Sequence, residues 1–192
     1  MSRIPNAFQP LNHSLRGVAR RLLRYRTING RRIQLPRNLR HLFSIQANHV
    51  YEPHEWDAIS RYGSRTGAFL DVGANIGVLT FEMSRVVAKH NRVFAFEPNS
   101  LAFAMLTQLM SENKCENVTP LNVAVSSSTA IIDFYESVSE GAGVMSALFS
   151  NAPATNIKRA LAITLDEISG GMGRIAYIKV DVEGAELQVI RG

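Results

Sequence analysis

One segment constrains this chain more than any other: Phe69-Leu70-Asp71-Val72-Gly73-Ala74-Asn75-Ile76-Gly77. An apolar strand-type run enters a tight glycine turn. Helical spacing then follows over residues 76–90 through Val78, Phe81, Val86 and Val87. Strand, turn, helix predicts a buried parallel strand feeding a crossover helix. Gly73 is expected to let a ligand approach the backbone with no Cβ in the way, and Gly77 to let the helix pack closely on the strand. Exposed N–H groups and the helix dipole would favour an acceptor-rich or anionic ligand.

The alternation continues downstream. Arg92-Val93-Phe94-Ala95-Phe96-Glu97 reads as a second strand, stopped by Pro98, with Asn99 or Ser100 capping the next helix. That helix carries Leu101, Met105 and Leu109 on one stripe. Val118 to Val123 is a third strand, and Pro120 inside it demands an edge position, because proline cannot donate to a ladder. Ile175 to Asp181 is a further buried strand, and Glu183-Gly184-Ala185-Glu186 opens a final helix. Residues 126–165 break the pattern. Ile131 to Glu136 and Ala162 to Leu165 read as strands. The Ser, Gly and Ala-rich stretch between them, with Gly141, Gly143, Ser146 and Ser150, reads as a partly mobile excursion over the sheet, suited to a lid or substrate loop. Right-handed parallel crossovers in an α/β sheet follow from this order.

The segment before residue 67 is of another kind. Charge shows the division: residues 1–50 hold ten Arg and no Asp or Glu, while the whole chain nets only +5. A basic arm therefore precedes an acidic body, and the high pI is no nucleic-acid footprint of the whole fold. Leu11, Leu15, Val18, Leu22 and Leu23, interleaved with Arg16, Arg20, Arg21 and Arg24, read as a basic amphipathic helix. Its Leu side could dock on the domain. A second reading is peripheral contact with anionic lipid through residues 11–26, and a third is an organelle-targeting peptide. Nucleic acid is not an expected partner, since aromatic interleaving is scarce. Tyr25 to Leu35 reads as a hairpin turning at Asn29-Gly30 and ended by Pro36, residues 37–50 as an irregular or partly helical connector, and Pro53 as the start of a helix that carries Trp56, Ile59 and Tyr62 inward. No apolar run reaches the roughly 18 residues that cross a bilayer. A cytoplasmic protein, with peripheral membrane contact as the alternative, is the expectation. Cys115 is the single cysteine, so an internal disulfide and a multi-cysteine metal site are excluded, and no metal is expected.

Two carboxylates sharpen the ligand. Glu97 ends the second strand, 24 residues after Gly73, where a carboxylate can accept both hydroxyls of a ribose. Asp71 sits two residues before the first glycine. A pyrophosphate turn would not favour a carboxylate there, whereas a ligand with an ammonium group would. The spacing is G-x-N-x-G rather than G-x-G-x-x-G. Together these favour S-adenosylmethionine over NAD, with Asp71 serving the amino-acid end directly or through water. The bland readings are that Asp71 caps the turn and Glu97 caps the following helix.

Asp71-Val72-Gly73-Ala74-Asn75-Ile76-Gly77, Phe96-Glu97-Pro98-Asn99, Asn122-Val123-Ala124-Val125-Ser126 and Ile178-Lys179-Val180-Asp181-Val182-Glu183-Gly184-Ala185-Glu186 together resemble the FkbM family of methyltransferases, as does Tyr51-Glu52-Pro53. The resemblance covers residues 25–192. It implies a class I, Rossmann-like S-adenosylmethionine-dependent methyltransferase with a sheet in the order 3-2-1-4-5-7-6. It further implies O-methylation of a hydroxyl on a sugar, polysaccharide precursor or secondary metabolite, so a small-molecule or glycan acceptor. By position Asp71, Gly73, Asn75 and Gly77 match the family's cofactor loop, Glu97 its ribose-binding acid and Asn122 the strand end beside the adenine. Asp181 matches the residue facing the transferred methyl group. A hydroxyl nucleophile must lose its proton as it attacks. Asp181 is the first candidate base and Glu183 the second, against the reading that Glu183 and Glu186 merely complement a helix dipole. The alternatives are a non-catalytic or incomplete nucleotide-binding domain and an NAD-dependent oxidoreductase. The expected organisation is a basic arm over residues 1–50 and a methyltransferase domain over 51–192, C-terminally incomplete after strand four, which would become an exposed edge.

Overall fold

A computed structural model describes residues 25–36, 52–88, 90–139, 143–147 and 157–192. The expected amphipathic helix over residues 11–24 and the connector over 37–50 lie outside them. In chain order the elements are β1 (Tyr25–Ile28), β2 (Arg31–Gln34), α1 (Pro53–Tyr62), β3 (Ala68–Val72), α2 (Val78–Val86), β4 (Val93–Phe96), α3 (Ser100–Glu112), β5 (Val118–Leu121), β6 (Ala124–Val125), β7 (Ala130–Ser139), β8 (Gly143–Ala147), β9 (Ile157–Ile163), α4 (Leu165–Ser169), β10 (Ile175–Val180) and α5 (Glu186–Arg191).

Four parallel strands form the central sheet in the order β10-β3-β4-β5. Counting β3 as strand one, this reads 4-1-2-3. β3 is buried along its whole length, as expected of a parallel strand covered on both faces. Its period of two divides the core. Ala68, Leu70 and Val72 enter one cluster with Phe96, Val125 and Val189. Phe69 joins another with Ile59 of α1 and Leu79 and Met83 of α2. Burial of side chains this size is worth about 2–3 kcal/mol each. β5, with Pro120 opposite Ala95, lies at the edge that its proline requires.

The hairpin turns at Asn29-Gly30 with φ of 48° and 76°, the pair of positive values a type I′ turn needs. It buries Ile28, Ile33 and Leu35 against Leu106, Leu109 and Met110 of α3. Asn113 clamps it there: its Oδ1 accepts from the Gln34 N–H at 2.8 Å, and its Nδ2 donates to the Gln34 carbonyl at 2.9 Å.

Several elements differ from the sequence reading. Leu101 is half exposed, and the buried stripe of α3 is Ala102, Met105, Leu106, Leu109 and Met110. The third strand ends at Leu121, and Ala124–Val125 pairs into a second sheet, β6-β9-β7-β8. Part of the presumed excursion is a strand of that sheet: β8 pairs antiparallel with β7, from Tyr135 opposite Ala147 to Ser139 opposite Gly143. The remainder, residues 140–142 and 148–156, lies outside the described residues. Leu165 belongs to α4, because Thr164 and Glu167 form a reciprocal capping box that starts a helix there. The last helix begins at Glu186, leaving Glu183 in the preceding turn with φ of 51°. Among the described residues no helix is long and apolar enough to cross a membrane.

Candidate functional site

A pocket opens where β3, β4 and β10 end and α2 begins. Gly73, Ala74, Asn75, Glu97, Lys179 and Asp181 line it, with Glu52 and Glu183 also on its wall. This is the carboxyl end of a parallel sheet, the usual ligand position in open α/β folds.

The two glycines do other work than the sequence suggested. A Cβ on Gly73 would come within 1.9 Å of the Asp181 carbonyl oxygen, so its positive φ of 78° and bare Cα let the β10 end close on the turn. A Cβ on Gly77 would meet Leu106 at 2.4 Å. Gly77 therefore makes room for α3, not for the strand, and it is absent from the pocket wall. Four of the turn's N–H groups are used internally. Those of Gly73 and Ala74 donate to the Phe96 carbonyl, that of Gly77 to the Ala74 carbonyl and that of Asn75 to Glu97. Four of the donors expected to be free for a ligand are thus spent inside the protein.

Glu97 is the best-placed ligand group. Its side chain is 4% exposed, yet it borders the pocket. Oε2 accepts from the Asn75 N–H and Oε1 from the Asn99 N–H, both at 2.8 Å. A carboxylate has about four lone-pair sites, so each oxygen keeps one for a ligand hydroxyl. Burial pushes the Glu97 pKa up to about 7, against the pull of those two N–H donors. Asn99 also caps α3, its Oδ1 accepting from the Leu101 and Ala102 N–H groups. The cap of α3 is therefore Asn99, and Glu97 is held by its backbone.

Asp71 cannot meet a ligand as expected. It is wholly buried, with Thr80 Oγ1 donating to its Oδ2 at 2.6 Å and Lys179 Nζ lying 3.2 Å from its Oδ1. The second contact is an ion pair rather than an aligned hydrogen bond. Strand register produces it: Lys179 pairs with Asp71 across parallel strands, so both side chains leave on the face covered by α2. Lys179 Nζ also donates to the Gly73 carbonyl at 2.9 Å and lies 3.5 Å from Asp181 Oδ2. Burial opposes its charge, but the carboxylates of Asp71 and Asp181 outweigh that and hold its pKa above the ordinary lysine value.

The structure brings Asp181 and Glu183 to the pocket, both solvent-exposed. Asn122 is not on the wall. It is exposed, and its Nδ2 donates to the Glu97 carbonyl at 2.8 Å, tying the β5 end to the Glu97 turn, while its neighbours Val123, Ala124 and Val125 do line the pocket. Glu186 accepts from the Gly184 N–H at 3.1 Å and so supports the turn before α5. Sequence reasoning passed over Lys179. Its signal was available: one basic residue in an otherwise apolar strand run, Ile175-Ala176-Tyr177-Ile178-Lys179-Val180. Among the described residues no three His, Cys, Asp or Glu side chains are grouped to hold a metal ion.

Residues 71–192 match the model of the methyltransferase FkbM domain. Hexuronic acid methyltransferase AglP of Haloferax volcanii is 36% identical over 124 residues, which is 64% of this chain and 48% of that protein. The chain thus spans about half the length of the curated relative it matches. Among solved structures, M. jannaschii TYW2 in complex with AdoMet is similar with a TM-score of 0.36 and 22% identity, covering 48% of this chain and 39% of that one. An rRNA methylase from Streptococcus thermophilus gives a TM-score of 0.34 and 18% identity, covering 40% and 45%.

Proposed function

The chain belongs to the FkbM methyltransferase family, and from that premise we propose that it serves methyl transfer from S-adenosylmethionine to a hydroxyl of a sugar or other small-molecule or glycan acceptor. The observation that carries the cofactor reading is Glu97. It is a buried carboxylate on the pocket wall, oriented by two backbone N–H groups, with lone pairs left for a pair of hydroxyls. The glycine turn supports the same choice. With the N–H groups of Gly73, Ala74, Asn75 and Gly77 spent within the protein, it suits a nucleoside, which brings hydroxyl donors, better than a dinucleotide pyrophosphate, which needs donors from the protein.

When bound, S-adenosylmethionine supplies an electrophilic methyl group on its sulfonium. Glu97 would hold the ribose hydroxyls, and Asn75 would keep Glu97 in place. Asp181 lines the pocket with its Oδ2 3.5 Å from Lys179 Nζ, which makes it the first candidate to accept the acceptor's hydroxyl proton, with Glu183 the second. The arrangement asks mainly for alignment of nucleophile and methyl group, which a walled pocket provides. A sugar acceptor is supported by the name of the Haloferax volcanii relative, a hexuronic acid methyltransferase.

Calorimetric titration with S-adenosylmethionine, S-adenosylhomocysteine and NAD tests the reading. The first two should bind and NAD should not. Binding of NAD alone would overturn the methyltransferase reading. Cofactor binding with no label transferred from methyl-labelled cofactor to any hydroxylated sugar would favour a non-catalytic pocket.

A further inference from the structure

Lys179 lies on the pocket wall, 7% exposed, between one carboxylate that is wholly buried and one that faces solvent. Asp71 has no route to water, and Thr80 already occupies its second oxygen. Without a cation it would be a buried, uncompensated charge beside the ligand space. The same ammonium reaches the Gly73 carbonyl and so fixes the turn that shapes that space. Charge summed over Asp71, Lys179 and Asp181 is one negative unit, not two.

We propose that Lys179 is a positioning residue that sets the charge at the pocket floor, cancelling one of the two carboxylates and holding the Gly73 carbonyl. The inference rests on the cofactor reading above. Its consequence concerns ligand charge. S-adenosylmethionine carries a sulfonium and S-adenosylhomocysteine a neutral thioether. A floor with two uncompensated carboxylates would retain the cation and disfavour the neutral product. With Lys179 in place the difference is small, and the product can leave as readily as the cofactor enters.

The test compares affinities for these two ligands by calorimetry at one pH and one ionic strength. Lys179→Met should shift the affinity ratio toward the sulfonium by about tenfold, the effect of one charge removed from the buried wall of an open pocket. Lys179→Arg keeps the charge and should stay within about twofold of wild type. Asp181→Asn, at an exposed position, should move the ratio the opposite way, about threefold given its solvent screening. A purely structural role would weaken both ligands alike and leave the ratio unchanged in all three variants, which overturns the proposal. If Lys179→Met does not fold by circular dichroism, the Asp181→Asn ratio decides: an unchanged value overturns it. Wild-type protein that binds neither ligand would instead overturn the cofactor reading, a failure visible before any variant is made.

Discussion

Two buried glutamates in this molecule have the same perturbation and opposite surroundings. Burial pushes both Glu97 and Glu82 up to about 7. Glu97 sits at the end of β4, accepts two backbone hydrogen bonds and borders the pocket. Glu82 sits on α2 with its side chain wholly buried, and among the described residues neither of its oxygens accepts a hydrogen bond. Its nearest compensation is Arg31 of the hairpin, whose Nε lies 3.3 Å from Oε2 while its guanidinium lies over Trp56 at 5.4 Å. A raised carboxylate pKa therefore does not by itself mark a site. What distinguishes Glu97 is orientation and an open side. Glu82 ties the hairpin to α2, at a cost the fold carries.

The comparison can be broken most strongly through pH and stability. An acid whose folded pKa is raised keeps its proton longer in the folded state. Its favourable contribution is present below the unfolded value, near 4.5, and is lost as pH rises to about 7. Glu82→Gln removes that loss. It should be more stable than wild type by about 2–3 kcal/mol at pH 8 and no more stable at pH 4.5, by urea denaturation. A gain that persists at pH 4.5 would contradict this. Next in size, Arg31→Ala should cost about 1–2 kcal/mol at pH 8, discounted for its partial exposure, and less at pH 5.5 where Glu82 is neutral. Neither variant should change cofactor affinity by more than about twofold, since both lie off the pocket.

For Glu97 the pH effect should appear in binding. Ribose hydroxyls donate to the ionised carboxylate, so affinity should rise with pH up to about 7 and level off above it. Below that value each pH unit should cost up to about tenfold, and Glu97→Gln should flatten the profile. A wild-type profile already flat from pH 5.5 to 8 would remove Glu97 from the ribose. The smallest effect belongs to Asn99→Ala, which loses the cap of α3 for about 1 kcal/mol. It should lower Tm by several degrees while leaving the Asn99 N–H on Glu97, and hence affinity, little changed.

The same contrast explains what was legible in the sequence. Local chemistry was. Asn29-Gly30 announced a type I′ hairpin, Asn99 a helix cap, Pro120 an edge strand, and Glu97 a carboxylate at a strand end. Each is decided within a few residues. The T-x-x-E box at Thr164 and Glu167 is equally local, and it starts a helix where the sequence reading carries the strand on to Leu165. What could not be read depended on partners distant in sequence. β8 is a strand only because β7 lies beside it, since its small residues carry little intrinsic preference. Gly73 is required by the Asp181 carbonyl, and Asp71 is closed to ligands by Lys179, both more than a hundred residues away in the chain. Acids read locally, Glu97, Asp181 and Glu183, come together on one pocket wall, while the contacts of Gly73 and Asp71 depend on a distant strand.

The most direct measurement is the affinity of S-adenosylhomocysteine for wild-type protein and for Glu97→Ala, by calorimetry at pH 8. Loss of a paired acceptor should weaken binding by about 1–3 kcal/mol, roughly 5- to 150-fold, with the fold intact by circular dichroism. Equal affinities in the two proteins would contradict the assignment of Glu97 to the ribose, and with it the central claim about this pocket.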